Sequence, residues 1–249
     1  MSSGRTPWIL GPVDERAGGE RLFCFPHAGA GASAYSSWRP HLPDSVALFP
    51  VQLPGRETRS GDPVPDTLDE LSEQVATALL PLLRPPYVLF GHSFGGLLVY
   101  ALARHLHERG HPLPQRLIIS GARPPHLAAT TSYHLLPHGE LLDFLRATNG
   151  IPASLLRHEE FVLRLLQVLR TDLRLAAEYV PATAEPLPCD IRILTSTDDP
   201  VVPAGLMQGW RDYTAGEFGT HRAAGDHHAV HDVTGELFTA LVRSGLDLG

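Results

Sequence analysis

The alternation of short apolar runs with longer helical patterns limits the possible fold more than any other feature of this chain. Five apolar runs have the length of buried strands and are bounded by turn residues, at positions 22–25, 46–49, 87–90, 116–120 and 191–195. A sixth strand is predicted around residues 217–222. Strands that alternate with helices form a mostly parallel sheet with helices on both faces. The chain is therefore predicted to be an α/β protein.

Two helices between these strands have clear sequence signals. Thr67 and Glu70 have the spacing of a capping box, and apolar residues then recur on one face as far as Leu79. A second helix is predicted over residues 94–108, with Gly110 as its C-terminal cap.

The alternation stops between residues 138 and 180, where two helical patterns follow each other without a strand. We interpret about 125–185 as a helical insertion over the sheet. Arg164, Arg170 and Arg174 fall outside the apolar face predicted for the second helix, which consists of Phe161, Val162, Leu165, Val168, Leu169 and Ala176. A solvated charged surface is the simple interpretation of these arginines.

Length and composition indicate one domain. With 249 residues and 43% hydrophobic content, the chain can bury one sizeable core, and no break in composition divides residues 1–249. Residues 1–18 are rich in Gly, Pro and charge and are predicted to be a loosely ordered lead-in. Cys24 and Cys189 are too few for a disulfide scaffold and are interpreted as buried free thiols.

The charge and hydropathy argue against two classes of partner. A formal net charge of -7 gives no general attraction to nucleic acid or to anionic lipid. No segment approaches the ~20 apolar residues that cross a bilayer, and the N-terminus lacks the apolar core of a signal peptide. A cytoplasmic protein that binds neither nucleic acid nor membrane is expected, with a monomer as the default.

The stretch Gly91-His92-Ser93-Phe94-Gly95 matches G-x-S-x-G at the junction of a buried strand and a helix. A tight turn there would raise the Ser93 hydroxyl above the sheet edge and needs small flanking residues. The Phe94 N–H would point at the same space and supply half of an oxyanion hole. The alternative interpretation is a glycine-rich turn with an incidental serine.

A serine hydroxyl is a weak nucleophile at neutral pH, so it needs a base, and the base needs an orienting carboxylate. Of 14 histidines, His227 lies in the loop after the last predicted strand and is favoured, with His228 as the alternative. His92 precedes the serine and is interpreted as structural. The loop after the fifth strand contains Asp198 and Asp199 as candidate acids.

With these residues the chain resembles the type II thioesterases, free-standing α/β-hydrolases that serve polyketide and nonribosomal peptide synthases. The resemblance covers about residues 22–230. Its motifs are Phe25-Pro26-His27-Ala28-Gly29, Gln52-Leu53-Pro54-Gly55-Arg56-Glu57, Gly91-His92-Ser93-Phe94-Gly95, Asp199-Pro200 and Gly225-x-His227.

The resemblance implies an α/β-hydrolase fold with Ser93 as nucleophile, His227 as base and Asp199, in preference to Asp198, as acid. The backbone N–H groups of Phe94 and Ala28 would form the oxyanion hole. The implied substrate is an acyl thioester on the phosphopantetheine arm of an acyl or peptidyl carrier protein, whose removal clears stalled or misprimed carriers. No metal or cofactor is implied. The inserted helices resemble the family's lid, whose apolar face would shape an acyl pocket and whose arginines would meet an acidic carrier.

The chain departs from the family pattern at two places. Thr195-Ser196 replaces glycines before the acid, and His228 replaces an aromatic residue after the base. Arg56 and Glu57 suggest a substrate role, but a structural ion pair in a turn is an equal interpretation. His27 is interpreted either as a residue of the active-site entrance or as one bonded into its own loop.

Two other functions remain open on the sequence. A carboxylesterase or lipase uses the same three residues, although such enzymes often have an H-G-G-G loop where this chain has His27-Ala28-Gly29-Ala30-Gly31. A catalytically inactive scaffold of the same fold is the alternative from another class, and the ordered Ser, Asp and His argue against it.

Overall fold

The structure is a computed structural model and describes residues 6–11, 19–127, 132–150, 155–183 and 185–245. Six strands form one parallel sheet in the order β2-β1-β3-β4-β5-β6. Their bounds are β1 Glu20–Phe25, β2 Val46–Pro50, β3 Tyr87–His92, β4 Arg116–Ser120, β5 Asp190–Ser196 and β6 Phe218–Ala223. All six predicted strands and the parallel sheet are confirmed.

Six α-helices accompany the strands among the described residues, with short 3₁₀ turns between them. Their bounds are α1 Leu68–Leu79, α2 Phe94–Glu108, α3 His138–Ala147, α4 Glu159–Glu178, α5 Ala204–Met207 and α6 Glu236–Ala240. Helix α1 starts as predicted, because the Thr67 hydroxyl accepts the Glu70 N–H at 3.1 Å. Gly110 follows α2 with a φ of +67°, the left-handed conformation that a helix C-terminus favours.

Helices cover both faces of the sheet. Along β1, Phe23 and Phe25 pack into the cluster that contains α1 and α2, whereas Leu22 and Cys24 pack into the cluster that contains α6. Strands buried on both faces read as continuous apolar runs, which is why the sequence revealed them. Both cysteines are free and buried, as predicted, and burial raises the pKa of each thiol.

Helices α3 and α4 lie between β4 and β5, where the helical insertion was expected, and residues 128–131, 151–154 and 184 of that insertion lie outside the described residues. The two helices share a small apolar cluster made of Leu141, Leu145, Val162, Leu166 and Leu169. The buried face of α4 differs from the expected one, because it includes Asp172 while Phe161 is 43% exposed.

The expected loose lead-in is only partly described, since residues 1–5 and 12–18 lie outside the described ranges. Residues 6–11 are not loosely held. Ile9 is 6% exposed and pairs with Val51, and the Leu10 N–H donates to the Pro50 carbonyl at 3.0 Å. These bonds extend the edge of β2. None of the helices in the described ranges has the length and apolar character that crossing a bilayer requires.

Candidate active site

Ser93 occupies the turn between β3 and α2 in a strained backbone conformation, with φ 53° and ψ -116°. A positive φ is costly for a residue with a Cβ and persists only where the surroundings hold it. Here the Ser93 N–H donates to the Ser120 carbonyl at 2.8 Å, and the Ser93 carbonyl accepts the Gly96 N–H at 2.9 Å. The turn has the form expected of a nucleophile elbow.

The glycines on either side of Ser93 are required by close backbone contacts. A Cβ on Gly91 would lie 2.1 Å from the Gly95 carbonyl oxygen, and a Cβ on Gly95 would lie 2.2 Å from the Phe25 carbonyl oxygen. Any larger residue would push β3, α2 or the end of β1 apart. The G-x-S-x-G motif therefore needs glycine at both of these positions in this fold.

The structure brings Asp199 and His227 together. The distance from His227 Nδ1 to Asp199 Oδ2 is 2.7 Å, and both side chains are almost completely buried. Asp198 instead accepts a hydrogen bond from the neighbouring Thr197 hydroxyl at 2.8 Å. Of the two candidate acids, Asp199 is the one that contacts the favoured histidine.

The surroundings of Asp199 keep its carboxylate ionised. Burial raises the pKa, but the His227 hydrogen bond and charge, together with the backbone N–H groups of Val202 and Val201, outweigh burial and leave the pKa below its ordinary value. The two N–H groups reach Oδ1 at 2.9 and 2.7 Å. A permanently charged, fixed carboxylate can hold the His227 ring in one tautomer.

Ser93 and His227 lie at the same edge of the sheet. A Cβ on Gly121 would be 3.1 Å from His227 Cε1, and Gly121 lines the same cavity as Ser93. Among the described residues no hydrogen bond joins Ser93 to His227. Hydrogen bonds of this kind are often long without substrate and shorten in the reacting complex.

An apolar cavity of about 140 Å³ opens beside Ser93. Ala28 and Phe94, the two residues expected to supply oxyanion N–H groups, both line it. The next N–H along, that of Gly29, donates to Asp172 Oδ2 at 2.8 Å and is already occupied. Most of the other lining side chains are apolar and come from the loop after β4 and from α4, among them Pro124, Pro125, Leu127, Leu173 and Ala176.

Arg56 forms the structural ion pair that was one interpretation of the Arg56-Glu57 turn, but its partner is not Glu57. Arg56 instead makes a two-pronged bond to Asp172 of α4, with N–O distances of 2.6 and 2.8 Å and side-chain exposures of 4% and 0%. Glu57 accepts the Ser33 hydroxyl and backbone N–H. Because Arg56 and Asp172 are 116 positions apart, no local pattern could reveal their contact.

Two of the three arginines outside the apolar face of α4 have structural partners. Arg170 donates to the backbone carbonyls of His134 and Leu136, and Arg174 donates to the Asp66 carbonyl and the Glu178 carboxylate. Arg164 is 75% exposed and only loosely paired with Glu160 at 3.4 Å.

Sequence reasoning missed a cluster of four histidines next to His227. One ring nitrogen each of His27, His92, His228 and His231 lies within 4.8 Å of the others. His92 is fully buried, with Nδ1 3.2 Å from the Ser120 hydroxyl, in agreement with a structural role. The His228-x-x-His231 spacing was the available signal, but His27 and His92 are distant in the sequence.

Comparison with known proteins identifies the family. The thioesterase domain family profile matches residues 20–243. A curated relative named linear gramicidin dehydrogenase LgrE, from Brevibacillus parabrevis, is 35% identical over 96% of this chain and 92% of its own length.

Two solved structures are similar in both sequence and fold. RedJ, a thioesterase from the prodiginine biosynthetic pathway in Streptomyces coelicolor, has 35% identity, a TM-score of 0.85 and coverage of 98% of this chain and 99% of its own. BorB, the type II thioesterase from the borrelidin biosynthetic cluster, has 29% identity, a TM-score of 0.83 and coverage of 96% of both chains. The chain therefore belongs to the thioesterase domain family, has the α/β-hydrolase fold, and is related to the type II thioesterases of nonribosomal peptide and polyketide pathways.

Proposed function

We propose that this protein hydrolyses acyl thioesters held on the phosphopantetheine arm of carrier proteins, with Ser93, His227 and Asp199 as its catalytic triad. The observation that carries the proposal is the buried Asp199–His227 pair at the sheet edge where Ser93 sits in its strained turn. The role is to regenerate stalled or misprimed carriers of a polyketide or nonribosomal peptide synthase.

In the first half of the proposed reaction, His227 Nε2 takes the proton of Ser93 Oγ, which attacks the thioester carbonyl. The negative charge that develops on the carbonyl oxygen is held by the N–H groups of Phe94 and Ala28, and one such donor is typically worth ~3 kcal/mol. The C–S bond then breaks, and His227 returns the proton to the departing thiolate. The acyl group remains on Ser93.

In the second half, His227 takes a proton from water, and the resulting hydroxide attacks the acyl-serine. The C–O bond to Ser93 breaks, the proton returns to Oγ, and the free acid leaves. Asp199 remains ionised throughout and stabilises the imidazolium of His227 in both halves, consistent with its lowered pKa.

The apolar cavity beside Ser93 is the proposed acyl site, and α3 and α4 are the proposed lid over it. Leu173 and Ala176 of α4 contribute to the cavity wall. An apolar wall favours binding of an alkyl acyl group over water. Exclusion of water from the cavity strengthens the hydrogen bonds that hold the oxyanion during acylation.

A carboxylesterase is the alternative, and the choice of substrate separates the two. We would compare kcat/KM for an acyl-carrier protein, for the same acyl group on free pantetheine and for a p-nitrophenyl ester. The proposal expects the acyl-carrier thioester to be the best substrate. Ready cleavage of the ester with intact acyl-carriers would establish the esterase function instead.

The name of LgrE raises oxidoreductase chemistry, and one local pattern supports it. Residues 29–34, Gly-Ala-Gly-Ala-Ser-Ala, have the G-x-G-x-x-A spacing of a dinucleotide-binding turn after β1. That turn requires a helix whose N-terminus faces the pyrophosphate. Here it leads into a four-residue 3₁₀ turn, Ala32–Tyr35, and the Gly29 N–H is bonded to Asp172. The turn after β1 therefore lacks the geometry of a dinucleotide-binding turn, and oxidoreductase chemistry is not favoured over hydrolysis.

The proposed partner is an acidic carrier protein, and the exposed Arg164 is the side chain of α4 best placed to meet it. Arg164→Glu is expected to raise KM for the acyl-carrier without changing kcat for the pantetheine thioester. Arg109→Glu, at an exposed position just after α2, is the matched control. An unchanged KM in Arg164→Glu would remove this contact from the proposal.

A further inference from the structure

We propose that His27, His92, His228 and His231 form a binding site for a divalent transition metal, with zinc as the best match for four imidazole ligands. Each residue offers one ring nitrogen, and these atoms lie within 4.8 Å of one another. Imidazole nitrogen is a preferred ligand of zinc and of copper, nickel and cobalt.

The fold gathers these residues from two loops and the end of one strand at the same edge of the sheet. His27 follows β1, His92 is the last residue of β3, and His228 and His231 lie in the turn after β6. In a 3₁₀ turn, residues three apart project on the same side, which directs His228 and His231 to a common point. Because the carboxyl ends of parallel strands lie at the same edge of the sheet, residues at or just after those ends come close together in space.

Several buried nitrogens in the cluster have no hydrogen-bond partner among the described residues. These include His27 Nδ1, His92 Nε2 and one ring nitrogen of His231, whose ring also has a hydrogen bond with the backbone of Ala34. A buried polar group without a hydrogen-bond partner destabilises the folded protein. The other three rings lie 4.6 to 5.6 Å from the His27 ring, centroid to centroid. Phenylalanine rings could pack in the same way without burying unpaired nitrogens. A bound metal would supply the missing partner.

The four rings are neutral at physiological pH, which is the form that binds metal. Burial first, and then the neighbouring histidines, lower the pKa of each, to about 4 for His228 and about 3 for His231. The charged groups that act on the cluster are Arg56, Asp199 and Asp226. Each neutral ring therefore retains one lone pair.

Closing the site needs only small movements. Ligands of a tetrahedral zinc at about 2.1 Å lie roughly 3.4 Å apart, so the widest pair must approach by at most about 1.4 Å. Three of the four residues lie outside the strands, where rotation about the side-chain bonds can provide this. His27, His228 and His231 also line an open cavity of about 740 Å³, through which an ion can reach them.

A metal here would inhibit the enzyme, a consequence that depends on the proposed role of His227. The His227 ring centroid lies 4.9 Å from that of His92 and 5.1 Å from that of His228. An ion that ties His92 and His228 together would fix two rings that pack against His227, and so would oppose the shift of His227 toward Ser93 that the proposed mechanism requires. The site itself does not depend on the mechanism.

The test is a titration of untagged Ser93→Ala protein with Co²⁺, followed by visible absorption, and with Zn²⁺, followed by calorimetry. We expect one ion per chain and the intense absorption of tetrahedral cobalt. His228→Phe and His231→Phe should each weaken binding at least ~10-fold, as the loss of one contact at a metal site does. His107→Gln, an exposed histidine of α2, should bind as tightly as the parent.

The proposed site would be overturned if both phenylalanine variants bound the metal as tightly as the parent protein, or if cobalt gave only the weak absorption of an octahedral complex. Thermal unfolding verifies that each variant is folded, and two independent variants protect against the failure of one. A second arm uses the protein with Ser93 intact: zinc should reduce thioester hydrolysis more than tenfold, and His231→Phe should relieve the inhibition. Binding without inhibition would contradict the role of His227 and leave the metal site standing.

Discussion

Asp199 binds groups on both of its carboxylate oxygens, so neither it nor His227 can rotate freely. Oδ2 meets His227 Nδ1, and Oδ1 accepts two backbone N–H groups from the following turn. Because Asp199 is held in place, its bond to Nδ1 fixes the direction in which His227 Nε2 points.

Replacing Asp199 with Asn should lower kcat for an acyl thioester by about 10³–10⁴-fold, because an amide no longer fixes the tautomer that can accept the Ser93 proton. Asp198→Asn is the matched control and should change kcat by less than about threefold, since the Asp198 carboxylate bonds only to the neighbouring Thr197 hydroxyl and its backbone bond to Gly225 is unaffected. Single-turnover kinetics measure both. An equal loss in the two variants would remove Asp199 from the triad.

Gly95→Ala should prevent folding or destabilise the protein by more than about 3 kcal/mol, since the new methyl group would lie 2.2 Å from the Phe25 carbonyl oxygen. Gly139→Ala in α3 meets no atom within 4 Å and should stabilise that helix by about 0.5–1 kcal/mol. Urea unfolding compares the two. A Gly95→Ala protein as stable as the parent would contradict the close packing of the turn.

At the scale of single residues, the strand pattern indicated that Ser93, Asp199 and His227 lie in loops after strands, and the preference for Asp199 over Asp198 came partly from the family resemblance. Contacts between distant segments were beyond its reach. Asp172, the partner of Arg56, lies 116 positions away on α4. Its buried carboxylate interrupts the otherwise apolar buried face of that helix.

At the scale of elements, α4 is tied to the two loops that surround the site. Asp172 accepts from Arg56 in the loop after β2 and from the Gly29 N–H in the loop after β1. The same helix supplies part of the cavity wall beside Ser93. The position of α4, a proposed lid helix, and the position of Ala28, a proposed oxyanion donor, are therefore coupled.

Asp172→Asn should destabilise the protein by about 3–5 kcal/mol, because it leaves the buried Arg56 guanidinium without a counter-charge. Glu160→Gln breaks an exposed pair on the same helix and should cost less than about 1 kcal/mol. Equilibrium urea unfolding provides the measurement. Similar losses in the two variants would show that α4 is not held by the ion pair.

The element boundaries show where pattern reading worked and where it did not. Helix α2 spans the predicted residues, because an elbow starts it and Gly110 ends it. The buried face of α4 differs from the expected one, because Asp172 is buried there by its bonds to Arg56 and to the Gly29 N–H and not by hydrophobicity.

At the scale of the whole molecule, the histidine cluster makes stability depend on pH. The folded-state pKa values of His228 and His231 are about 4 and about 3, against about 6.5 for histidine in an unfolded chain. Below pH ~6.5 the unfolded chain therefore binds more protons than the folded one, and stability falls as the pH falls.

We expect the free energy of unfolding to decrease steadily between about pH 6.5 and 4. The double variant His228→Phe, His231→Phe should show a shallower decrease over the same interval, because it removes two of the groups that protonate on unfolding. Urea unfolding at several pH values tests this. An identical slope in the double variant would show that these histidines are not held neutral.

The most direct test of the proposed function follows the mass of an acyl-phosphopantetheinyl carrier protein during a single turnover with wild-type enzyme and with Ser93→Ala. We expect wild type to remove the acyl mass and Ser93→Ala to be at least ~10⁴-fold slower, since loss of the proposed nucleophile removes the covalent route. Hydrolysis by Ser93→Ala within tenfold of the wild-type rate would contradict the central claim.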